Sequence, residues 1–230
     1  MRVRALTVLV AALALAGLVS TASAQSNRPM VAVMDFDYSA VNNWWSGVWG
    51  NYDVGKGMAD MVVDELINES DFRVIERKRI DTVLAEQDFA QSDRADPSAA
   101  KMAQIGKVLG VRYIIAGSIT KFNTSDKKYS AGGIVKGPLG GLGLKRSKSE
   151  VQLNARVIDA TTGEILIAAK GKGDSKKGGG VTVAGGASGV GGGFSMGSSE
   201  YRASALGEAQ EKACIDLVKN IVKRQGKLQQ

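Results

Sequence analysis

The apolar run Met-Val-Ala-Val-Met-Asp-Phe at 30–36 is short and partly β-branched, which predicts a buried first strand. A stretch of aromatic and small polar residues follows from Asp37 to Gly57, holding Trp44, Trp45, Trp49 and Tyr52. From Met58 the period changes. Met58, Met61, Val62 and Leu66 recur at helical spacing with acidic residues between them, the pattern of an amphipathic helix. Phe72-Arg73-Val74-Ile75 predicts a brief strand, and Ile80, Val83, Leu84 and Gln87 predict a second helix. Asp96-Pro97 is a helix start, with Asp as N-cap and Pro at the first position. The helix it opens is expected to bury Met102, Ile105, Val108 and Leu109 and to end at Gly110.

Val111 to Ile119 is almost continuously apolar and predicts a central strand. Val151, Leu153, Ala155 and Val157 alternate with Gln152, Asn154 and Arg156, a half-buried strand. Thr161-Thr162-Gly163 is a turn signal, and Glu164 to Ala169 is the returning partner. A last helix runs from Tyr201 to about Lys223, with Leu206, Ala213, Leu217 and Ile221 inward and Lys219, Lys223 and Arg224 at its negative end. The order strand, helix, strand, helix, helix, strand, then a strand pair and a helix, predicts an α+β domain: an α/β layer with a mixed sheet and flanking helices.

Two glycine-rich segments of low hydrophobicity interrupt this pattern, at 123–150 and 171–200. Gly178 to Ser199 carries no charge over 22 residues. Two readings fit it. A flexible linker is one, because glycine loses much entropy on ordering. A membrane hairpin is the other, since a spanning strand needs about 9–11 residues and Val181, Val183, Val190, Phe194 and Met196 keep a rough period of two.

The N-terminus predicts export. Arg2 and Arg4 precede an apolar run from Leu6 to Leu18, and Ala22-Ser23-Ala24 supplies the small residues of a cleavage site before Gln25. Residues 1–24 are therefore read as a signal peptide and 25–230 as the mature domain, in the periplasm or at the outer membrane. No cysteine adjoins the cleavage point, so the mature N-terminus is expected to be unlipidated. Cleavage removes two arginines and lowers the net charge from +7 to +5.

Composition excludes much chemistry. The sequence has no histidine and a single cysteine, Cys214. That rules out His-based general catalysis, Ser-His-Asp triads, an intramolecular disulfide and a cysteine-based zinc cluster. Cys214 lies in a helical pattern and reads as a core thiol. No Walker or dinucleotide-binding glycine pattern is present; Gly55-Lys56-Gly57 reads as a loop leading into a helix. Asp60 and Asp64, beside Glu65, read as a solvated helix face. No catalytic residue, cofactor, metal or nucleic-acid partner is expected, and the chain is not expected to be an enzyme.

Four ordered blocks carry a family resemblance: Val31-Ala32-Val33-Met34-Asp35-Phe36; Phe72 to Arg77 with Leu84-Ala85-Glu86-Gln87; Gly106 to Ile119; and Arg156 to Ile165. They resemble the CsgG/HfaB family of curli secretion channels. The resemblance implies a homo-oligomeric ring at the outer membrane in which two β-hairpins per subunit join one transmembrane β-barrel. Here they would be 123–150 and 171–200. The implied cargo is an unfolded, curli-like amyloid subunit, with a possible periplasmic accessory factor. The family's pore narrows at a tyrosine followed four residues later by Asn-Phe; Asn51-Tyr52 matches that pair. Gly47 stands where the tyrosine would be, so that ring is either absent or supplied by Trp45 or Trp49. The implied constriction residues are Trp49, Asn51 and Tyr52; the bland alternative is that the tryptophans pack on the domain surface. The competing function is a soluble periplasmic scaffold or regulator with the same core and no pore.

Overall fold

A computed structural model describes residues 28–41, 53–86, 99–129, 144–178 and 199–229. The stretch 1–24 read as a signal peptide, Gln87 and the Asp96-Pro97 helix start lie outside them.

One five-stranded mixed sheet organises the chain, in the order β2-β1-β3-β4-β5. β1 (Met30–Asp37) pairs in parallel with the two-residue β2 (Arg73–Val74) and with β3 (Tyr113–Tyr129). Parallel neighbours need a crossover. Helix α1 (Val54–Glu69) supplies the first, and α2 (Arg77–Glu86) with α3 (Ala99–Leu109) the second. β3, β4 (Leu144–Asp159) and β5 (Ile165–Gly178) then form an antiparallel meander. Two helices close the chain, α4 (Ser199–Ala203) and α5 (Ala205–Val222), before a 3-10 turn at Gln225–Gln229. The α+β class and the central place of β3 agree with the hydrophobic pattern.

The sheet separates two apolar clusters. Val31, Val33, Ile115, Val151, Leu153 and Val157 face α1 and α5, where they meet Met58, Val62, Leu66, Ala213, Leu217 and Ile221. The alternate residues Ala32, Met34, Ile114 and Ile158 face α2 and α3, where they meet Ile80, Ile105 and Leu109. This alternation, reset by a shift between Val33 and Phe36 that returns Phe36 to the α1 side, fixes strand register, because a slip of one residue would turn each strand inside out.

Five details depart from the sequence pattern. Helix α1 starts at Val54, so Gly55 and Gly57 are first-turn residues and not a loop. Asp53 caps that turn by accepting from the Lys56 amide at 3.0 Å. Gly55 is required there, since a Cβ would lie 2.1 Å from the Phe36 carbonyl oxygen. Val108 is 43% exposed, because the buried stripe of α3 is only Met102, Ile105 and Leu109. The last helix is broken at Ser204, whose side chain accepts from the Gly207 amide at 3.0 Å and restarts the helix as α5.

The other two departures concern the glycine-rich segments. Residues 123–129 and 144–150 continue β3 and β4, paired as far as Tyr129 opposite Leu144. Residues 171–178 continue β5, and Gly171 and Gly173 lie beneath α5: a Cβ would come within 2.2 Å of the Ala213 carbonyl oxygen and 1.9 Å of that of Ala209. These two glycines are core residues whose missing side chain lets a helix sit on a strand.

Candidate functional site

The polar and aromatic segment 42–52 holds the three residues implied to narrow a pore. Trp49, Asn51 and Tyr52 lie outside the described residues, so what the structure supplies is the seat of that segment. On one side, the Asp37 carboxylate accepts from the Ser39 amide and hydroxyl, each at 2.9 Å, and turns the chain off β1. The Val41 amide donates to the Tyr38 carbonyl at 3.1 Å. On the other side, Asp53 caps α1. The two ends meet where Gly55 touches Phe36 and Tyr38. Burial, then the Asp53 and Asp37 carboxylates, raise the pKa of the Tyr38 phenol, keeping it neutral between those acids.

The same end of the sheet carries the long strands. β1 runs parallel to β3 and stops at Asp37 opposite Ser118, while β3 continues from Ile119 to Tyr129. At about 3.3 Å per residue, the 17 residues of β3 span roughly 56 Å. β4 is paired along nearly all of it, and β5 is paired up to Gly178 opposite Arg146. The described ends that flank 42–52, 130–143 and 179–198 therefore all lie on one side of the domain. Basic residues stand at these strand ends: Lys127 and Lys128 precede 130–143, Lys145 and Arg146 follow it, and Lys176 and Lys177 precede 179–198.

Helix α5 locks the base of this strand stalk. Glu208 accepts from Lys212 at 2.7 Å and pairs with Lys177 at 3.0 Å; Lys177 also donates to the Ala203 carbonyl at 2.6 Å. The two ammonium groups hold the Glu208 carboxyl at a pKa of about 2, well below the ordinary glutamate range. A stripe at every fourth residue of α5 then occupies the outer edge of β5. Asp216 accepts from the Lys172 amide at 3.0 Å, and Asn220 donates to the Lys170 carbonyl at 3.1 Å. Lys212 donates to the Asp174 carbonyl at 3.3 Å and Arg224 to that of Ala168 at 3.0 Å. Side chains thus take the place of a sixth strand from Ala168 to Asp174, which blunts an edge otherwise open to pairing. The hydrophobic pattern singles out none of Lys212, Asp216 and Asn220, and takes Arg224 only as a charge complementing the helix dipole. Their role as an edge cap needs the strand to be in place.

The far end of the domain is a tight turn. Asp159 accepts from the amides of Thr161 at 2.8 Å and Thr162 at 3.2 Å, and Gly163 takes a positive φ of 74°. Burial pushes the Asp159 carboxyl up, but those amides and Arg112 outweigh it and hold the group charged.

Nothing among the described residues has the make-up of a reaction centre. They contain no cluster of acids and thiols able to hold a metal ion. Cys214 is fully buried with Met58 as its neighbour, and burial drives its thiol pKa far above the ordinary range. An open trough of about 450 Å³ lies on the face of β3 to β5 that no described helix covers, with Asp37, Met102, Ser118, Asn154, Arg156 and Lys170 in its lining. It is open and its lining is evenly mixed polar and apolar, unlike the enclosed, mostly apolar pockets that hold small substrates. None of the described helices is long and apolar enough to cross a membrane, which leaves strand-built spans untouched.

Comparison with known proteins agrees with this architecture. Among solved structures, a hypothetical protein of Chlamydia trachomatis aligns with a TM-score of 0.50 at 12% identity, over 86% of this chain and 97% of its own; the likeness is one of fold. A lipoprotein from Neisseria meningitidis aligns at 0.40 and 14% identity, over 65% of this chain and 83% of its own. A PelC dodecamer from Paraburkholderia phytofirmans aligns at 0.37 and 10% identity, over 83% and 86%. No curated protein matches. The family described as "Curli production assembly/transport component CsgG" matches residues 12–230, nearly the whole sequence, and the chain belongs to that family.

Proposed function

We propose that this protein is an exported, homo-oligomeric conduit of the outer membrane through which unfolded, curli-like subunits pass. Its signal peptide is removed after Ala24, and its mature N-terminus carries no lipid. In this reading the segments 123–150 and 171–200 each supply a β-hairpin to one shared barrel, and Trp49, Asn51 and Tyr52 line the narrow point beneath it. A ring of aromatic and amide side chains suits a chain of varied sequence, because it contacts many side chains weakly and none specifically.

The observation that carries the reading is the common exit. On a CsgG-family domain, the ends of both strand extensions and both anchors of the 42–52 segment lie at the same end of one sheet. A pore placed there would run directly over the loop that narrows it. A lone hairpin in lipid leaves edge amides and carbonyls unsatisfied, at several kcal/mol each, so insertion requires neighbours to close the barrel.

Protease protection tests the proposal. In isolated outer membranes, residues 178–199 of the full-length protein should resist cleavage. Deleting them should leave a folded domain that no longer sediments with the membrane. Free cleavage, with membrane association unchanged by the deletion, would make the segment a linker and the protein a periplasmic scaffold.

A further inference from the structure

Two rows of residues run across the sheet in register on the face that carries the open trough. Asp37 lies opposite Ser118, Ser118 opposite Asn154, and Asn154 opposite Lys170, one residue on each of β1, β3, β4 and β5. Cross-strand partners share a face, so this row sets a carboxylate at one end and an ammonium at the other, with a hydroxyl and an amide between them. In the next row on the same face, Arg156 stands between Ala116 and Ala168. All of these residues line the trough.

The polar groups of both rows have capacity left. The Asp37 carboxylate accepts one hydrogen bond on each oxygen, from the Ser39 amide and hydroxyl at 2.9 Å, which fixes it and leaves each oxygen a further lone pair. Among the described residues, the side chains of Ser118, Asn154, Arg156 and Lys170 have no hydrogen-bond or ion-pair partner. Arg156 and Lys170 are exposed, and the methyl side chains on either side of Arg156 leave its guanidinium open to a planar, bidentate acceptor. Neighbouring strands stand about 4.8 Å apart, so two to three steps put roughly 10–14 Å between Asp37 and the two cations. Three or four extended residues cover the same length, at about 3.3–3.6 Å each.

We propose that the trough is a binding site for a short zwitterionic peptide lying across the strands. Its ammonium pairs with Asp37, and its terminal carboxylate takes the Arg156 fork and the Lys170 ammonium. Its backbone meets the Ser118 hydroxyl and the Asn154 amide, each able to donate and to accept. Its side chains lie over Ala116 and Ala168, a floor that suits residues as small as alanine. An open trough of mixed lining fits an extended peptide, which keeps one side in water, where an enclosed apolar pocket would fit a compact substrate. A purely anionic ligand would leave the Asp37 charge opposed, and a purely cationic one would face Arg156 and Lys170, so the row selects for charge at both ends. The site goes beyond the conduit reading and does not rest on it.

Isothermal titration calorimetry with trialanine and tetraalanine tests it, on the mature protein extracted from membranes in mild detergent and held at low salt. At least one of the two peptides should bind saturably, one per chain. N-acetylation of that peptide removes its ammonium and C-terminal amidation removes its carboxylate; each should weaken binding at least tenfold, since each leaves a charge of the site unpaired. Asp37→Asn and Arg156→Gln should weaken the unmodified peptide to the same extent, with circular dichroism checking that each variant folds. The modified peptides act on the wild-type protein, so they decide the outcome even where a variant does not fold. No saturable binding of either peptide at millimolar concentration overturns the proposal, and so does a folded variant that binds as wild type does. Undiminished binding of the acetylated peptide would make the trough a site for anions, and of the amidated peptide a site for cations; either result overturns the zwitterionic ligand.

Discussion

Gly173→Ala puts one methyl group where α5 rests on β5. The added Cβ would lie 1.9 Å from the Ala209 carbonyl oxygen and 2.6 Å from the Ala213 amide nitrogen. A carbon next to an oxygen normally stands no closer than about 3.3 Å, so one of the elements must retreat by roughly 1.4 Å. Both opposing atoms are helix backbone, and no rotamer change relieves the contact. Lifting α5 loosens the packing of Leu206, Ala213, Cys214, Leu217, Val218 and Ile221, all buried beneath it. A gap of about 1 Å already forfeits up to half of the dispersion energy at each contact. Glycine replacement alone would stabilise by about 0.4–1 kcal/mol through the unfolded chain, so any net loss reports the clash. Overpacking costs about 1–3 kcal/mol, and the rigid neighbours here place the change near 3. For a domain of this size that is roughly 6–12 °C in Tm, read by circular dichroism. Gly226→Ala is the control; nothing lies within 4 Å of its added methyl, and its Tm should rise by about 1–4 °C. A Gly173→Ala protein as stable as that control would mean that α5 is not seated on β5, and the locked base of the stalk would be refuted.

Asp216→Ala with Asn220→Ala uncaps the β5 edge at Lys170 and Lys172 and should cost about 1 kcal/mol per lost hydrogen bond, with faster aggregation in light scattering. Stability and aggregation equal to wild type would remove the edge cap from the account. Cys214 should not react with an aromatic disulfide reagent at pH 8 until denaturant is added, after which one equivalent should titrate; rapid native reaction would contradict its burial. Glu208 has a folded pKa of about 2, below its ordinary 4.5. Its contribution is therefore present above pH 4.5 and lost as pH falls toward 2. The stability gap between wild type and Glu208→Gln, measured by urea unfolding, should close over that window; a gap constant from pH 6 to pH 2 would reject the pairing with Lys212 and Lys177.

The hydrophobic pattern carried most of the fold, because most of its elements bury one face. The run at 30–36, the alternation at 151–157 and the turn at Thr161-Thr162-Gly163 all sit where their periods place them. Small residues were where it misled. Gly55 and Gly57 read as loop, yet Gly55 serves a close approach between α1 and β1, and Asp53 is the cap that betrays the earlier start. Gly171 and Gly173 read as part of a low-hydrophobicity segment, although they alternate with Lys170 and Lys172 at the period of a strand. Their inward face is filled by helix backbone, which hydrophobicity cannot register. Val108 failed for the opposite reason: an apolar residue one position away from a narrow stripe has no neighbour to bury it. Ser204 broke a continuous amphipathic pattern through a local side-chain cap. As for the site, the anchors at Asp37 and Asp53 and the shared side of the described ends around 42–52, 130–143 and 179–198 emerge only once parallel pairing sets β1 beside β3.

The central claim, an oligomeric conduit, is tested most directly by conductance across planar lipid bilayers. Protein extracted from outer membranes in mild detergent should insert as discrete, uniform steps. The Tyr52→Ala protein, assembled to the same mass, should give larger steps, since removing a ring of phenols widens the narrow point. Membrane-extracted wild-type protein that yields no steps would contradict the conduit, and unchanged steps in Tyr52→Ala would contradict the placement of its constriction.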